Sequence, residues 1–181
     1  YHGFGGDRNG TAWFRGQNAK YLADRGYISI RFDFSGTNDS DGDFYDMTVS
    51  REVDEAEMIH EFAKTKHFVD NSHIYWVGHS LGGVISTLLA YKLKPKAVCL
   101  LAPASDMNNP DFIKVMAKTM FEGELEKAKE EKFKDKSLKE ILTNIKDADI
   151  GGVKLHVHFL TDFLTKDIYG TAKKYNGNVL I

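Results

Sequence analysis

The stretch Val77-Gly78-His79-Ser80-Leu81-Gly82-Gly83 constrains this chain more than any other. A short apolar run, His73-Ile74-Tyr75-Trp76-Val77, leads into it. Apolar residues at Leu81, Val84, Ile85, Leu88 and Leu89 follow at helical spacing. Ser80 therefore sits where a buried strand turns directly into a helix, with Gly78 and Gly82 two positions away on either side. So sharp a turn excludes a Cβ at the flanking positions, and glycine alone fits there. The same turn strains the serine backbone. It aims the hydroxyl out of the top of the sheet, at the N-terminus of the following helix. Free amides and the helix dipole favour negative charge at that point. The blander reading, a glycine-rich turn with an incidental serine, explains neither the strand before it nor the helix after it.

The rest of the chain agrees with a strand-and-helix alternation. Residues 1–10 form a polar, glycine-rich loop. A helix is expected over residues 11–24, with Phe14, Leu22 and Ala23 inward and Gly26 as its stop. Residues 27–32 read as a strand, because they are β-branched and aromatic. Residues 33–46 are a loop dense in Asp, Gly and Ser. Thr48 or Ser50 caps a helix to about Thr65, whose inward face is Val53, Ala56, Ile59 and Ala63. The helix after Ser80 ends before Pro95, and residues 97–101 are another continuous apolar strand. Strands of this kind imply a mostly parallel sheet covered by helices on both faces, an α/β fold. Ligands of such sheets bind beyond the carboxyl ends of the strands, where Ser80 lies.

Beyond Pro103 the character changes. Asn109-Pro110 can start a helix with an apolar face of Phe112, Ile113, Met116 and Met120. Residues 122–140 are crowded with Lys and Glu, as a solvated surface is. The expected organisation is a core over residues 1–105, an inserted helical cap over 106–150, and a return to the core over 151–181. In the return, residues 153–159 alternate as a short edge strand would. A short helix over 167–174 and a final strand from Asn178 complete it. Both ends look cut. The chain opens Tyr1-His2-Gly3-Phe4 and closes Asn178-Val179-Leu180-Ile181, the first half of a strand, so a fragment of a longer protein is expected.

Composition removes several function classes. At 181 residues the chain suffices for one domain with a real core. A net charge of −2 gives no nucleic-acid surface. No apolar run approaches a membrane span. One cysteine, Cys99, cannot form an internal disulfide and reads as a buried core residue. No zinc spacing is present. Asp39, Asp41 and Asp43 alternate like the start of a calcium loop but lack the closing glutamate. No P-loop or dinucleotide fingerprint appears, so neither metal nor cofactor is expected. The expected location is cytoplasmic, and the oligomeric state is left open.

The remaining chemistry is that of an activated serine. A serine hydroxyl needs a base, a group to orient that base, and donors for the oxyanion of a tetrahedral intermediate. One donor is the backbone N–H of Leu81, next after Ser80. The other is expected from an earlier glycine-rich loop, here His2-Gly3-Phe4-Gly5-Gly6, through the Phe4 amide. His2 is read as bracing that loop and His79 as packing. Asp106 and His156 follow Ser80 in the order an acid and a base would. However, His156 and His158 lie in a strand-like run and are read as polar edge or cap-lining residues.

Three segments, His2-Gly3-Phe4-Gly5-Gly6, Arg31-Phe32-Asp33-Phe34-Ser35-Gly36 and Gly78-His79-Ser80-Leu81-Gly82-Gly83, fall in the order and spacing of the α/β-hydrolase superfamily. More narrowly, the chain resembles bacterial cinnamoyl/feruloyl esterases and their serine-aminopeptidase-like relatives. Asp39-Ser40-Asp41-Gly42-Asp43-Phe44, Met47-Thr48 and Leu100-Leu101-Ala102-Pro103-Ala104 carry that narrower likeness. One departure is Asn38, where the family usually has a second glycine after Gly36. The resemblance implies a serine carboxylesterase acting on small hydroxycinnamate esters through an acyl-enzyme on Ser80. It also implies an acid and a histidine placed beyond Ile181. The alternatives are a monoacylglycerol lipase or aminopeptidase-like serine hydrolase, and a non-catalytic binding module on the same fold.

Overall fold

A parallel sheet holds the turn at Ser80, and one helix behind it organises the rest. The computed structural model describes residues 1–106, 109, 111–113, 140, 142 and 146–181. Its elements are α1 (Phe14–Ala23), α2 (Val49–Lys64), β1 (Tyr75–His79), α3 (Leu81–Leu93), β2 (Ala97–Leu101), β3 (Asp147–Asp149), β4 (Lys154–His156), α4 (His158–Phe163), α5 (Ile168–Ala172) and β5 (Asn178–Leu180). Single 3-10 turns span Thr11–Trp13 and Phe44–Asp46. The main sheet runs β1-β2-β5, all parallel, with Val77 opposite Cys99 and Val98 opposite Val179. β3 and β4 form a separate antiparallel pair.

α3 packs against β1, β2, α2 and α5. Its apolar spacing makes this possible, since Leu81, Val84, Ile85 and Leu89 are all buried. α2 starts where the sequence placed it. Thr48 is the N-cap, and its hydroxyl accepts from Arg51 N–H at 3.1 Å. Ala56 and Ala63 are buried as expected, while Val53 and Ile59 are half-buried. Two polar residues, Glu52 and His60, are buried on the same face. His60 Nδ1 accepts the Trp76 indole N–H at 3.3 Å. α4 packs against α2, and β4 lies on the 3-10 turn at Phe44–Asp46. α5 begins at Asp167, whose carboxylate accepts from Gly170 N–H at 2.8 Å.

Four expectations need correction. Residues 27–32 join no ladder among the described residues, and Tyr27, Ile28 and Ile30 are exposed. A strand needs a hydrogen-bonded neighbour, and among the described residues none pairs with this run. Tyr1 O accepts from His79 N–H at 3.1 Å, and the Tyr1 ring packs on Phe32, Phe34 and Trp76. α1 buries none of its residues: Phe14 and Ala23 are exposed and Leu22 is half-buried. Its stop is as expected, with Gly26 at φ 83° and Tyr27 N–H donating to Leu22 O at 3.1 Å. The alternating run 153–159 splits. Only Lys154–His156 is strand, and Phe159 turns inward from α4. Cys99 is half-buried. Met116, Met120 and nearly all of residues 106–146 lie outside the described residues, so the expected cap is not described beyond a buried Ile113 and Leu142.

Candidate active site

Ser80 is the hinge between β1 and α3. Its backbone lies at φ 52°, ψ −118°, a region side chains avoid. Such a conformation costs about 1–3 kcal/mol and persists only where the surroundings enforce it. Here they do. Ser80 N–H donates to Leu101 O at 2.9 Å, and Ser80 O accepts from Gly83 N–H at 2.9 Å and Ala104 N–H at 3.3 Å. The flanking glycines are required by contact. A Cβ on Gly78 would clash with Gly82 O and Ser86 Oγ, and one on Gly82 would clash with Tyr1 O and His2 O. The second contact brings the glycine-rich loop down onto the start of α3.

That loop lies directly over the serine. A Cβ on Gly3 would stand 3.0 Å from Ser80 Cβ and 3.4 Å from His79 Nδ1. Phe4 follows, its ring held against Phe44 and Phe159 with centroids 5.5 and 5.0 Å apart. Leu81, the first residue of α3, has no intrahelical acceptor for its N–H. Among the described residues neither Phe4 N–H nor Leu81 N–H donates a hydrogen bond. Leu81 N–H thus stands at the start of α3 next to Ser80, and Phe4 N–H on the loop that Gly3 brings against Ser80.

His2 braces this loop from beneath. It is 2% exposed. Its Nε2 accepts Phe34 N–H at 3.1 Å, so the proton sits on Nδ1 and is donated to Gly3 O at 2.8 Å. Burial pushes its pKa below the ordinary histidine value, although the hydrogen bond to Gly3 O pulls the other way. Farther along, Arg8 anchors the descending limb. Its N–H donates to Asp33 Oδ1 at 2.5 Å and its guanidinium to Asp33 Oδ2 at 2.6 Å and to Asp39. Burial pushes the Asp33 carboxyl up, but hydrogen bonds from Asn38 and Arg8 and the Arg8 charge outweigh it and leave it low. Asn38 adopts φ 45°, the left-handed conformation a glycine would take, and uses its side chain to donate to Asp33 at 2.9 Å.

The other candidates are elsewhere engaged. His156 packs on the Tyr45 ring at 5.1 Å and on His158 at 4.0 Å. No hydrogen bond joins it to Ser80 among the described residues. Asp106 lies in a turn after β2. No base on Ser80 Oγ is found among the described residues. Nor is there a group of three His, Cys, Asp or Glu residues able to hold a metal ion among them. No described helix is long and apolar enough to cross a membrane. The sequence reading missed Arg8, Arg15, Asp33 and Glu52. Three of these act through backbone carbonyls, amides or distant side chains, which no local spacing reveals.

Residues 2–165 match the pattern of the family described as serine aminopeptidase, S33. Among solved structures, Est1E from Butyrivibrio proteoclasticus, determined with ferulic acid bound, is similar with a TM-score of 0.74 at 25% identity. The match covers 98% of this chain and 64% of Est1E, so the chain spans less than two thirds of that protein. No curated protein matches.

Proposed function

We propose that this chain, which belongs to the serine aminopeptidase (S33) family and has the α/β-hydrolase fold, is a serine carboxylesterase acting on hydroxycinnamate (feruloyl-type) esters. The observation that carries the reading is the strained Ser80 turn with the Gly3 backbone pressed against its Cβ. In this reading Ser80 Oγ attacks the ester carbonyl and loses its proton to a base. The carbonyl oxygen becomes an oxyanion held by Leu81 N–H and Phe4 N–H. The alcohol departs with that proton, and water then cleaves the acyl-enzyme. The base and its orienting acid are not among the described residues, and the reading places them after Ile181 in the order serine, acid, histidine. The ferulic acid held by Est1E supports the substrate class.

The test uses full-length protein, a fluorophosphonate probe and p-nitrophenyl acetate. Labelling at Ser80, and loss of both labelling and hydrolysis in Ser80→Ala, is the expected result. Wild-type turnover by Ser80→Ala would refute it. The family match favours a second reading, an aminopeptidase-like hydrolase. Side-by-side rates on methyl ferulate, a monoacylglycerol and an aminoacyl anilide separate the substrate classes.

A further inference from the structure

The two amides proposed to hold the oxyanion come from segments 77 positions apart, Phe4 on a loop and Leu81 on α3. An oxyanion site works only if its donors keep a fixed separation, each about 2.7–3.1 Å from the developing charge. Something must therefore lock the loop to the elbow, and one side chain touches both. Arg15, in the first turn of α1, donates from Nη1 to Asp7 O at 2.8 Å. Its other terminal nitrogen, Nη2, lies 3.2 Å from His79 Nδ1. Its backbone N–H donates to Asn9 O at 2.9 Å. The chain makes room for it, because a Cβ on Gly10 would stand 2.7 Å from Arg15 Nη1.

Asp7 belongs to the limb that descends from Phe4, and His79 is the residue before Ser80. The limb is rigid in its own right. Asp7 Oδ1 accepts from Asn9 N–H at 2.6 Å and Gly10 N–H at 2.8 Å, and Arg8 is fixed on Asp33. A shift of the limb is thus passed through one guanidinium to the elbow, and the reverse. We propose that Arg15 is a positioning residue that ties the oxyanion loop to the nucleophile elbow and sets the separation of the Phe4 and Leu81 amides. This rests on the esterase reading above. A guanidinium can only donate, so His79 Nδ1 must be the bare, accepting nitrogen, and the imidazole stays neutral. In keeping with this, burial first, then the charge of Arg15, hold the His79 pKa below its ordinary value.

The experiment compares full-length wild type with Arg15→Met, which keeps bulk and removes all donors, and Arg15→Lys, which keeps charge but reaches only one partner. Turnover of p-nitrophenyl acetate is measured with kcat and KM separated, and the His79 imidazole is titrated by NMR. Arg15→Met is expected to lose kcat by about 10–100-fold, the scale of a misplaced donor. KM should stay near wild type, since the oxyanion exists only in the transition state. Arg15→Lys should fall between. In Arg15→Met the His79 titration should move up toward its ordinary value, and in Arg15→Lys, which keeps the charge, it should move less. Wild-type kcat in Arg15→Met, or an unmoved His79 titration in that variant, overturns the proposal, as does a loss confined to KM. Should Arg15→Met fail to fold, Arg15→Lys decides through kcat, and a wild-type kcat in it overturns the proposal. Should wild type neither label nor hydrolyse esters, the esterase reading fails by itself. The His79 titration then decides the tether, and an unmoved one overturns it.

Discussion

Replacing His2 tests whether the loop over Ser80 is braced as the structure indicates. His2→Ala removes the acceptor of Phe34 N–H and leaves that amide buried, at a cost of about 1–3 kcal/mol. The ring itself occupies a site 2% exposed to solvent. A void of roughly 60 Å³ at about 24 cal/mol per Å³ adds about 1.4 kcal/mol. The sum is about 3 kcal/mol at pH 8. His2→Phe fills the void but removes both the acceptor of Phe34 N–H and the donor to Gly3 O, so it should keep the larger part of that cost. Both should also lower ester turnover, by up to ~100-fold, because Gly3 and Phe4 lose their support against Ser80.

The pH dependence gives the second arm. His2 has a folded pKa below its ordinary 6.5, so between the two values the unfolded chain binds more protons. Its contribution is complete above 6.5 and is lost as pH falls through the lower, folded value. Arg15 and Asp33 face it; the hydrogen bond to Gly3 O and the Asp33 charge favour protonation, and Arg15 opposes it. His60 and His79 are shifted the same way, so wild type alone cannot isolate the effect. The difference between wild type and His2→Ala can, by urea unfolding of full-length protein at pH 8 and pH 5. That difference should shrink at pH 5. If it is under 0.5 kcal/mol at pH 8, or unchanged at pH 5, His2 is not the brace.

Two further substitutions probe the scaffold. Both Glu52 carboxylate oxygens are buried with no hydrogen-bond partner among the described residues, and burial, then the nearby Glu55, push its pKa well above 4.5. Ionisation is therefore opposed in the folded state, and wild type loses stability as pH rises from 4.5. Glu52→Gln should gain on wild type between pH 4.5 and 8 in thermal unfolding, and a constant gap would contradict this. Asp162 joins α4 to the start of α2: it accepts from Ser50 N–H at 2.9 Å, from the Ser50 hydroxyl, and from Lys166 Nζ at 2.8 Å. Asp162→Asn should cost about 1–3 kcal/mol. It should also slow turnover, because α4 carries the Phe159 ring under Phe4.

How much of this could be read in the sequence depends on how local each cause is. The Ser80 turn was legible because its motif is local: Gly78 is required by Gly82 O and Ser86 Oγ at the start of α3, although Gly82 is required by the distant carbonyls of Tyr1 and His2. The N-cap at Thr48, the stop at Gly26 and the end of α3 before Pro95 were legible for the same reason. Residues 27–32 were not. Their composition favours a strand, but a strand is a relation to a neighbour, and among the described residues none pairs with this run. The run 153–159 alternates convincingly until Val157, where packing of Phe159 and Phe163 under the loop outweighs the period-two pattern.

The site divides along the same line. Ser80, Leu81 and Phe4 belong to motifs, so a reader of the sequence can nominate them. What keeps them in register does not. His2 acts through Phe34, Arg8 through Asp33, and Arg15 through a carbonyl at one end and an imidazole 64 positions away at the other. Each partner is supplied by the fold, and each link uses a residue type with many other uses on a surface. A charged residue in the first turn of a helix looks like ordinary solvated surface until the fold brings Asp7 and His79 to it. A chain could therefore keep the full G-x-S-x-G pattern and still lose turnover through Arg15. The motif fixes which atoms take part, while supporting contacts of this kind fix the distances between them.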